Sequence, residues 1–352
     1  MDFKMPLLSL PSGFPTEIWT EVSPKTELLP EDPWFLVGDS RIQPLWQPWA
    51  PAAPLGELWL ETTEQKKSIS EVLICLETWS TMPLSKQSVV VCVGGGVLSD
   101  LVGLAASLYQ RGLRWHVWPT TLVAQVDASI GGKTAVNLGE AKNQIGSFYP
   151  PNRVVLCHDF LKTLPASHLE NGQWEMIKMA LLEGDPAWLA SLSDRLGQPG
   201  FSSSFERDIE RCVLSKVSIV HQDLRDQGDR KLLNLGHTMA HAIEAASQFK
   251  IPHGQAVGFG LLVACGMSSS LGLSDFPTSL LNRWSEQLKS SGLVWPSWNE
   301  CVPFLAWDKK KENTKGESVF HEPLPRQGER AILVSCALQP FEQAFQKVRS
   351  HF

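Results

Sequence analysis

The run Ser88-Val-Val-Val-Cys-Val93, followed at once by Gly94-Gly-Gly-Val-Leu-Ser-Asp100, constrains this chain more than any other segment. A short, continuous apolar run that ends in glycines reads as a strand buried on both faces. The glycines then open a helix over Leu101 to Leu108, and Arg114-Trp-His-Val-Trp118 forms the next strand, ending at Pro119-Thr120-Thr121. Strand, glycine turn, helix and strand in that order predict an α/β domain. The order is also a dinucleotide-binding pattern. Glycines let the backbone approach a pyrophosphate, and a helix N-terminus stabilises its charge. The GxGxxG spacing is absent, so a tight turn without a ligand is the alternative this segment leaves open.

The surrounding sequence extends the same architecture. Trp34-Phe-Leu-Val-Gly-Asp39 forms a strand ending in an acid, and Ile69, Val72, Leu73, Leu76 and Trp79 recur at helical spacing between Ser68 and Leu84. Ten of the 24 prolines lie in the first 54 residues, which predicts loops or an abbreviated sheet edge there. After Leu161-Lys-Thr-Leu-Pro165 the character changes, and 169–194, 205–220, 235–248, 254–271 and 277–291 all favour helix. The expected division is an α/β domain over 1–165 and a mostly helical domain over 166–352.

Composition narrows the function classes. A net charge of −6 argues against a general nucleic-acid surface, but not against a local cationic pocket for an anionic metabolite. No apolar run approaches the ~18 residues of a membrane span. The first residues lack a signal-peptide pattern, and the seven cysteines include no CxxC pair. They read as buried thiols in a reducing cytoplasm.

Two groups of polar residues carry chemistry. His237 and His241 are four apart and share a helix face, and His253 follows a loop that can fold back toward them. Neutral imidazole is a common zinc ligand, and a nearby carboxylate would complete an open catalytic site; capping or packing histidines are the alternative. The cations form the second group. Lys133 follows two glycines, Lys142-Asn143 comes soon after, Glu175 and Lys178 share a helix face, and Lys216 and Arg230 flank an acidic stretch. Singly, each reads as a solvated surface charge.

As a set, these segments resemble the 3-dehydroquinate synthase family over roughly residues 60 to 310. The motifs that carry the resemblance are Glu64-Gln-Lys-Lys67-Ser68, Gly94 to Gly103, Tyr109 to Gly112, Pro119 to Leu122, Gln125 to Thr134 and Lys142 to Pro150. They continue through Glu175 to Lys178, Arg230 to Glu244, His253 to Val257 and Asp308 to Lys310.

The resemblance implies a Rossmann-like NAD-binding domain followed by a mostly α-helical metal-binding domain. It implies one divalent ion, zinc or cobalt, on Glu175, His237 and His253. NAD would lie against Asp39, Glu64, Lys67, Gly95, Gly96, Ser99 and Asp100, and against Thr120, Thr121, Asp127, Lys142, Lys162 and Thr163. Lys133, Asn143, Lys178, Lys216, Arg230 and Asn234 would hold the substrate. His241 and Lys310 would lie near its phosphate, and Arg111 would reach a phosphate across a homodimer interface.

The implied reaction turns 3-deoxy-D-arabino-heptulosonate 7-phosphate, an anionic sugar acid phosphate, into 3-dehydroquinate and phosphate. It proceeds by transient NAD-dependent oxidation, phosphate elimination, reduction and intramolecular aldol closure. This is a carbon–oxygen lyase step of the shikimate pathway, toward chorismate and aromatic amino acids. The alternatives are a sister sugar phosphate cyclase of the inosose or valiolone type, a metal- and NAD-dependent polyol dehydrogenase, and a catalytically silent homologue. The chain departs from the family pattern at Ser99 and Ala141, where glycine is usual, and at Met239, Ala240 and Gln255 beside the presumed ligands.

Overall fold

The structure, a computed structural model, describes residues 3–4, 8–9, 15–21, 25–49, 53–139, 141–198, 202–305, 311–314 and 317–352. Two compact units divide it. The first comprises Met1–Leu169 and Phe201–Arg225, the second Glu170–Gly200 and Asp226–Phe352.

The first unit is built on six parallel strands. Their spatial order is Pro15–Glu21, Arg153–Cys157, Arg114–Pro119, Val89–Gly94, Trp34–Asp39 and Glu57–Leu60. Every residue of Val89–Gly94 and Trp34–Asp39 is buried, as expected of central strands covered on both faces. One face packs Trp34, Leu36, Val91 and Val93 against Trp46 and Trp118, whose rings meet edge to face at 5.3 Å. Alternation sends Phe35, Val37, Val90 and Cys92 to the other face, where all four are fully buried.

The helices Ile69–Ser80 and Gly96–Leu108 pack on each other. The second begins five residues earlier than its apolar periodicity suggested, so Ser99 and Asp100 lie in its first turns. The sheet edge expected from the prolines is the short strand Glu57–Leu60. The glycine-rich stretch before Lys133 leads into an antiparallel hairpin of Lys133–Leu138 and Ala141–Phe148. It packs on Gly96–Leu108, which supplies the burial that a free loop would lack.

The expected boundary at 165 moves to 169/170, and it is crossed more than once. The helix Ser203–Gln222 belongs to the first unit, not the second. It packs on the helical turn Ala124–Ala128, where the buried Lys216 ammonium donates to the Asp127 carbonyl and carboxylate, both at 2.6 Å.

The second unit holds the helices Ala166–Glu183 (from Glu170 on), Pro186–Asp194, His237–Ala246, His253–Ser270, Thr278–Ser290, Trp298–Leu305 and Leu338–Arg349. Expected as mostly helical, it also contains a three-stranded antiparallel sheet of Lys311–Thr314, Glu317–Arg326 and Glu329–Cys336. All seven cysteines are buried, and none is in a disulfide. No helix among the described residues is long and apolar enough to cross a membrane.

Candidate metal centre and dinucleotide crevice

In the second unit, three helices bring three side chains to one point. Glu175 lies on Ala166–Glu183 and is fully buried, His237 opens His237–Ala246, and His253 opens His253–Ser270. Close backbone contact sets their spacing. Gly236, with φ at 75°, ends one turn and starts the His237 helix. A Cβ on Gly260 would stand 2.0 Å from the Gly236 carbonyl oxygen, and one on Gly254 would stand 2.3 Å from the Asn171 Cα. Only glycine permits both approaches. They seat the two histidines against the helix that carries Glu175.

The ring nitrogens are oriented from outside. His237 Nδ1 donates to the Leu235 carbonyl at 3.1 Å, and His253 Nδ1 donates to the buried Glu244 carboxylate at 3.3 Å. Both Nε2 atoms therefore face Glu175 Oε1, at 3.4 Å for His237 and 3.1 Å for His253. One ligand atom from each residue lies within 4.8 Å of the others. With each Nδ1 as donor, neutral rings turn lone pairs toward a carboxylate oxygen. Such an arrangement needs a cation, either a proton or a metal ion.

The electrostatics agree. Burial favours a protonated Glu175, but Lys178, with Nζ at 2.6 Å, and the two histidines outweigh it and hold the carboxyl well below its ordinary value. Burial, aided by Lys178, lowers the His237 pKa, leaving a neutral ring. Burial works in the same direction at His253, but Glu244 and Glu175 overcome it and raise that imidazole to about 10. Two carboxylates thus hold a proton beside a neutral ring, which is a donor set for a divalent ion. The His253 side chain keeps 33% of its surface accessible, which leaves an open side.

The remaining polar candidates of this unit are close by or on the same elements. His241 is exposed one turn beyond His237, with ring centroids 5.5 Å apart. Arg230 is buried and Asn234 half-buried on the short helix Asp229–Asn234. Gln255 donates to Glu170 at 2.7 Å. Lys310 lies outside the described residues. The role of Glu244 was missed from sequence; its only signal was its place at the end of the His237 motif.

The first unit has a crevice of a different kind. The strand order reverses between Trp34–Asp39 and Val89–Gly94, and open α/β sheets bind ligands at the carboxyl ends beside such a reversal. Asp39 ends one of these strands, and Gly95 caps the helix Gly96–Leu108 that follows the other. A Cβ on Gly95 would stand 3.1 Å from Thr121, so the turn presents bare backbone beside the buried Thr120. Those features fit a diphosphate. Ser99 does not obstruct them: its buried hydroxyl donates back to the Gly96 carbonyl at 3.0 Å.

Further candidates join one network beside this crevice. The Lys67 ammonium meets Asp100 at 2.5 Å and donates to Asn143 at 2.7 Å, while Lys142 lies 3.6 Å from Glu64. Burial raises the Asp100 carboxyl against the pull of Lys67. Lys133 is exposed on the hairpin. Lys162 and Thr163 are exposed and engaged locally, with Asp159 at 2.5 Å and the Phe160 carbonyl at 3.1 Å.

Arg111 stands apart. Tyr109 donates to the Trp79 carbonyl at 3.0 Å and Gln110 to the Leu84 carbonyl at 3.3 Å, while Gln110, Arg111 and Gly112 all have positive φ. This anchored turn leaves Arg111 exposed.

The 3-dehydroquinate synthase N-terminal and C-terminal family profiles match residues 57–171 and 172–311. A 3-dehydroquinate synthase of Thermococcus kodakarensis is 42% identical over 208 residues, which is 59% of this chain and 58% of that protein. One of Legionella pneumophila (strain Corby) is 41% identical over 237 residues, 66% of this chain and 63% of that protein. The matches thus span about three fifths of these relatives' length. Among solved structures, 2-epi-5-epi-valiolone synthase from Streptomyces hygroscopicus subsp. jinggangensis 5008, with NAD+ and Zn2+ bound, superposes with a TM-score of 0.78 at 25% identity, covering 95% of this chain and 97% of that one.

Proposed function

This chain belongs to the 3-dehydroquinate synthase family, and we propose that it converts 3-deoxy-D-arabino-heptulosonate 7-phosphate to 3-dehydroquinate and phosphate. The observation that carries this reading is the convergence of Glu175, His237 and His253, each ring turned by an outer acceptor toward one carboxylate oxygen. Zinc or cobalt would be held there, and NAD at the crevice beside Asp39, Gly95, Gly96, Thr120 and Thr121. When bound, the ion would acidify a substrate hydroxyl and NAD would accept and return a hydride.

The protein's own residues do the positioning. Lys178 sets the charge of the Glu175 carboxylate. Arg230 offers a planar fork that matches the substrate carboxylate, and Asn234 on the same short helix adds a hydrogen bond to the anion. His241, exposed beside His237, would meet the phosphate.

The active species in this reading is a cytoplasmic homodimer. Arg111 is exposed on the anchored turn, and Gly96–Leu108, which leads into it, and the elements packed on that helix carry exposed apolar side chains: Ile69, Leu73, Leu108, Leu138 and Phe148. A second copy would cover that surface and receive Arg111 at its phosphate site.

The test is incubation with the seven-carbon phosphate, following phosphate release and dehydroquinate formation. A sister cyclase of the valiolone type is the second reading, favoured by the fold match to such an enzyme. It would release no phosphate from this acid and would cyclise a carboxylate-free sugar phosphate instead. A polyol dehydrogenase would accumulate NADH.

A further inference from the structure

An acid at the end of a strand in this position of a dinucleotide fold accepts hydrogen bonds from the adenosine ribose. Asp39 is seated otherwise. Its Oδ1 accepts from the Arg41 backbone N–H and from Arg41 Nε, both at 2.9 Å, and its Oδ2 accepts from Arg41 Nη2 at 2.6 Å and from the Thr62 hydroxyl. Arg41 Nη2 also donates to the Thr62 carbonyl at 3.0 Å. The Asp39 side chain is 3% exposed, whereas that of Arg41 is 62% exposed. The strand end therefore offers solvent a guanidinium rather than a carboxylate.

We infer that Arg41 turns the ribose end of this crevice into a 2′-phosphate subsite, so that the chain binds NADP+ at least as well as NAD+. The inference rests on the dinucleotide reading above. Asp39 neutralises one edge of the guanidinium and fixes its plane. Among the described residues, no hydrogen bond of Arg41 uses Nη1, so that edge is available. A phosphate ester gains charge-assisted bonds from such an edge, whereas a ribose hydroxyl gains little.

Partial desolvation first, and then the guanidinium's charge, lower the pKa of His168. Glu61, the nearby acid, is taken by Lys66 at 2.7 Å.

Calorimetric titration decides the matter without any turnover. The probes are NAD+, NADP+, 5′-ADP and 2′,5′-ADP, against the wild type and Arg41→Gln, which keeps an amide donor beside Asp39. The wild type should bind NADP+ at least as tightly as NAD+, and 2′,5′-ADP more tightly than 5′-ADP. In Arg41→Gln the two phosphorylated probes should weaken about tenfold or more, with NAD+ changing less than about threefold. A wild type that binds NAD+ but takes NADP+ about tenfold more weakly overturns the inference. So does a folded variant that weakens both dinucleotides equally. If the variant fails to fold, the wild-type ratio alone decides. Binding of neither dinucleotide would remove the crevice assignment itself, and this inference with it.

Discussion

The carbonyl oxygen of Gly236 lies so close to Gly260 that a Cβ on Gly260 would stand 2.0 Å from it. This contact fixes the start of the His237 helix against the middle of the helix that His253 begins. Backbone cannot yield as a flexible side chain does. Gly260→Ala is therefore expected to destabilise the chain by about 1–3 kcal/mol, the scale of an overpacked core, and to weaken metal binding as the ligands spread. Thermal unfolding and a competitive metal titration check both effects. Unchanged metal affinity would separate this contact from the geometry of the site.

Glu244 is the outer partner of His253. Glu244→Gln keeps the shape and removes the charge, so metal affinity should fall about 10- to 100-fold while the protein stays folded. Competition with a chromophoric chelator measures it. An affinity within twofold of wild type would leave Glu244 without an orienting role.

Arg230 is buried on its short helix, and Arg230→Lys replaces a planar fork by a point charge. About 1.5 kcal/mol of transition-state stabilisation should be lost, read as kcat/KM for the seven-carbon acid phosphate. An unchanged kcat/KM would remove the main reason for preferring this acid over carboxylate-free sugar phosphates.

Arg111 is tested by complementation. Arg111→Ala and His237→Ala should each be inactive alone. Mixed and allowed to exchange subunits, they should regain part of the activity, because one interface-crossing site then carries both defects and the other neither. No recovery after demonstrated exchange would exclude a role in trans.

Much of this architecture is legible in the sequence, for physical reasons. The strands Trp34–Asp39, Val89–Gly94 and Arg114–Pro119 are apolar runs bounded by proline and glycine, and the Ile69–Ser80 helix shows a clear apolar period. The Lys133–Leu138 strand is not legible, because it is only half-covered and its pairing depends on the helix beneath it. Pro323 and Pro325 argue against a strand, yet both lie in Glu317–Arg326. Among the described residues, Lys311–Thr314 pairs only with residues 317–320, so no described strand lies along the other side of 321–326, where proline is tolerated. The types and order of Glu175, His237 and His253 are readable. Their orientation by Leu235 and Glu244 is not, since it depends on how the Gly236–Gly260 and Gly254–Asn171 contacts seat the helices that carry them.

The central claim is that Glu175, His237 and His253 hold one catalytic divalent ion, and metal content measures it most directly. Wild-type protein and His237→Ala are loaded with zinc or cobalt, freed of excess ion, and analysed for metal per chain beside phosphate release and circular dichroism. The wild type should retain one ion per chain, and His237→Ala none, with turnover lost and the fold intact. A wild type that retains no ion, or a folded His237→Ala that keeps a stoichiometric ion, would contradict the account.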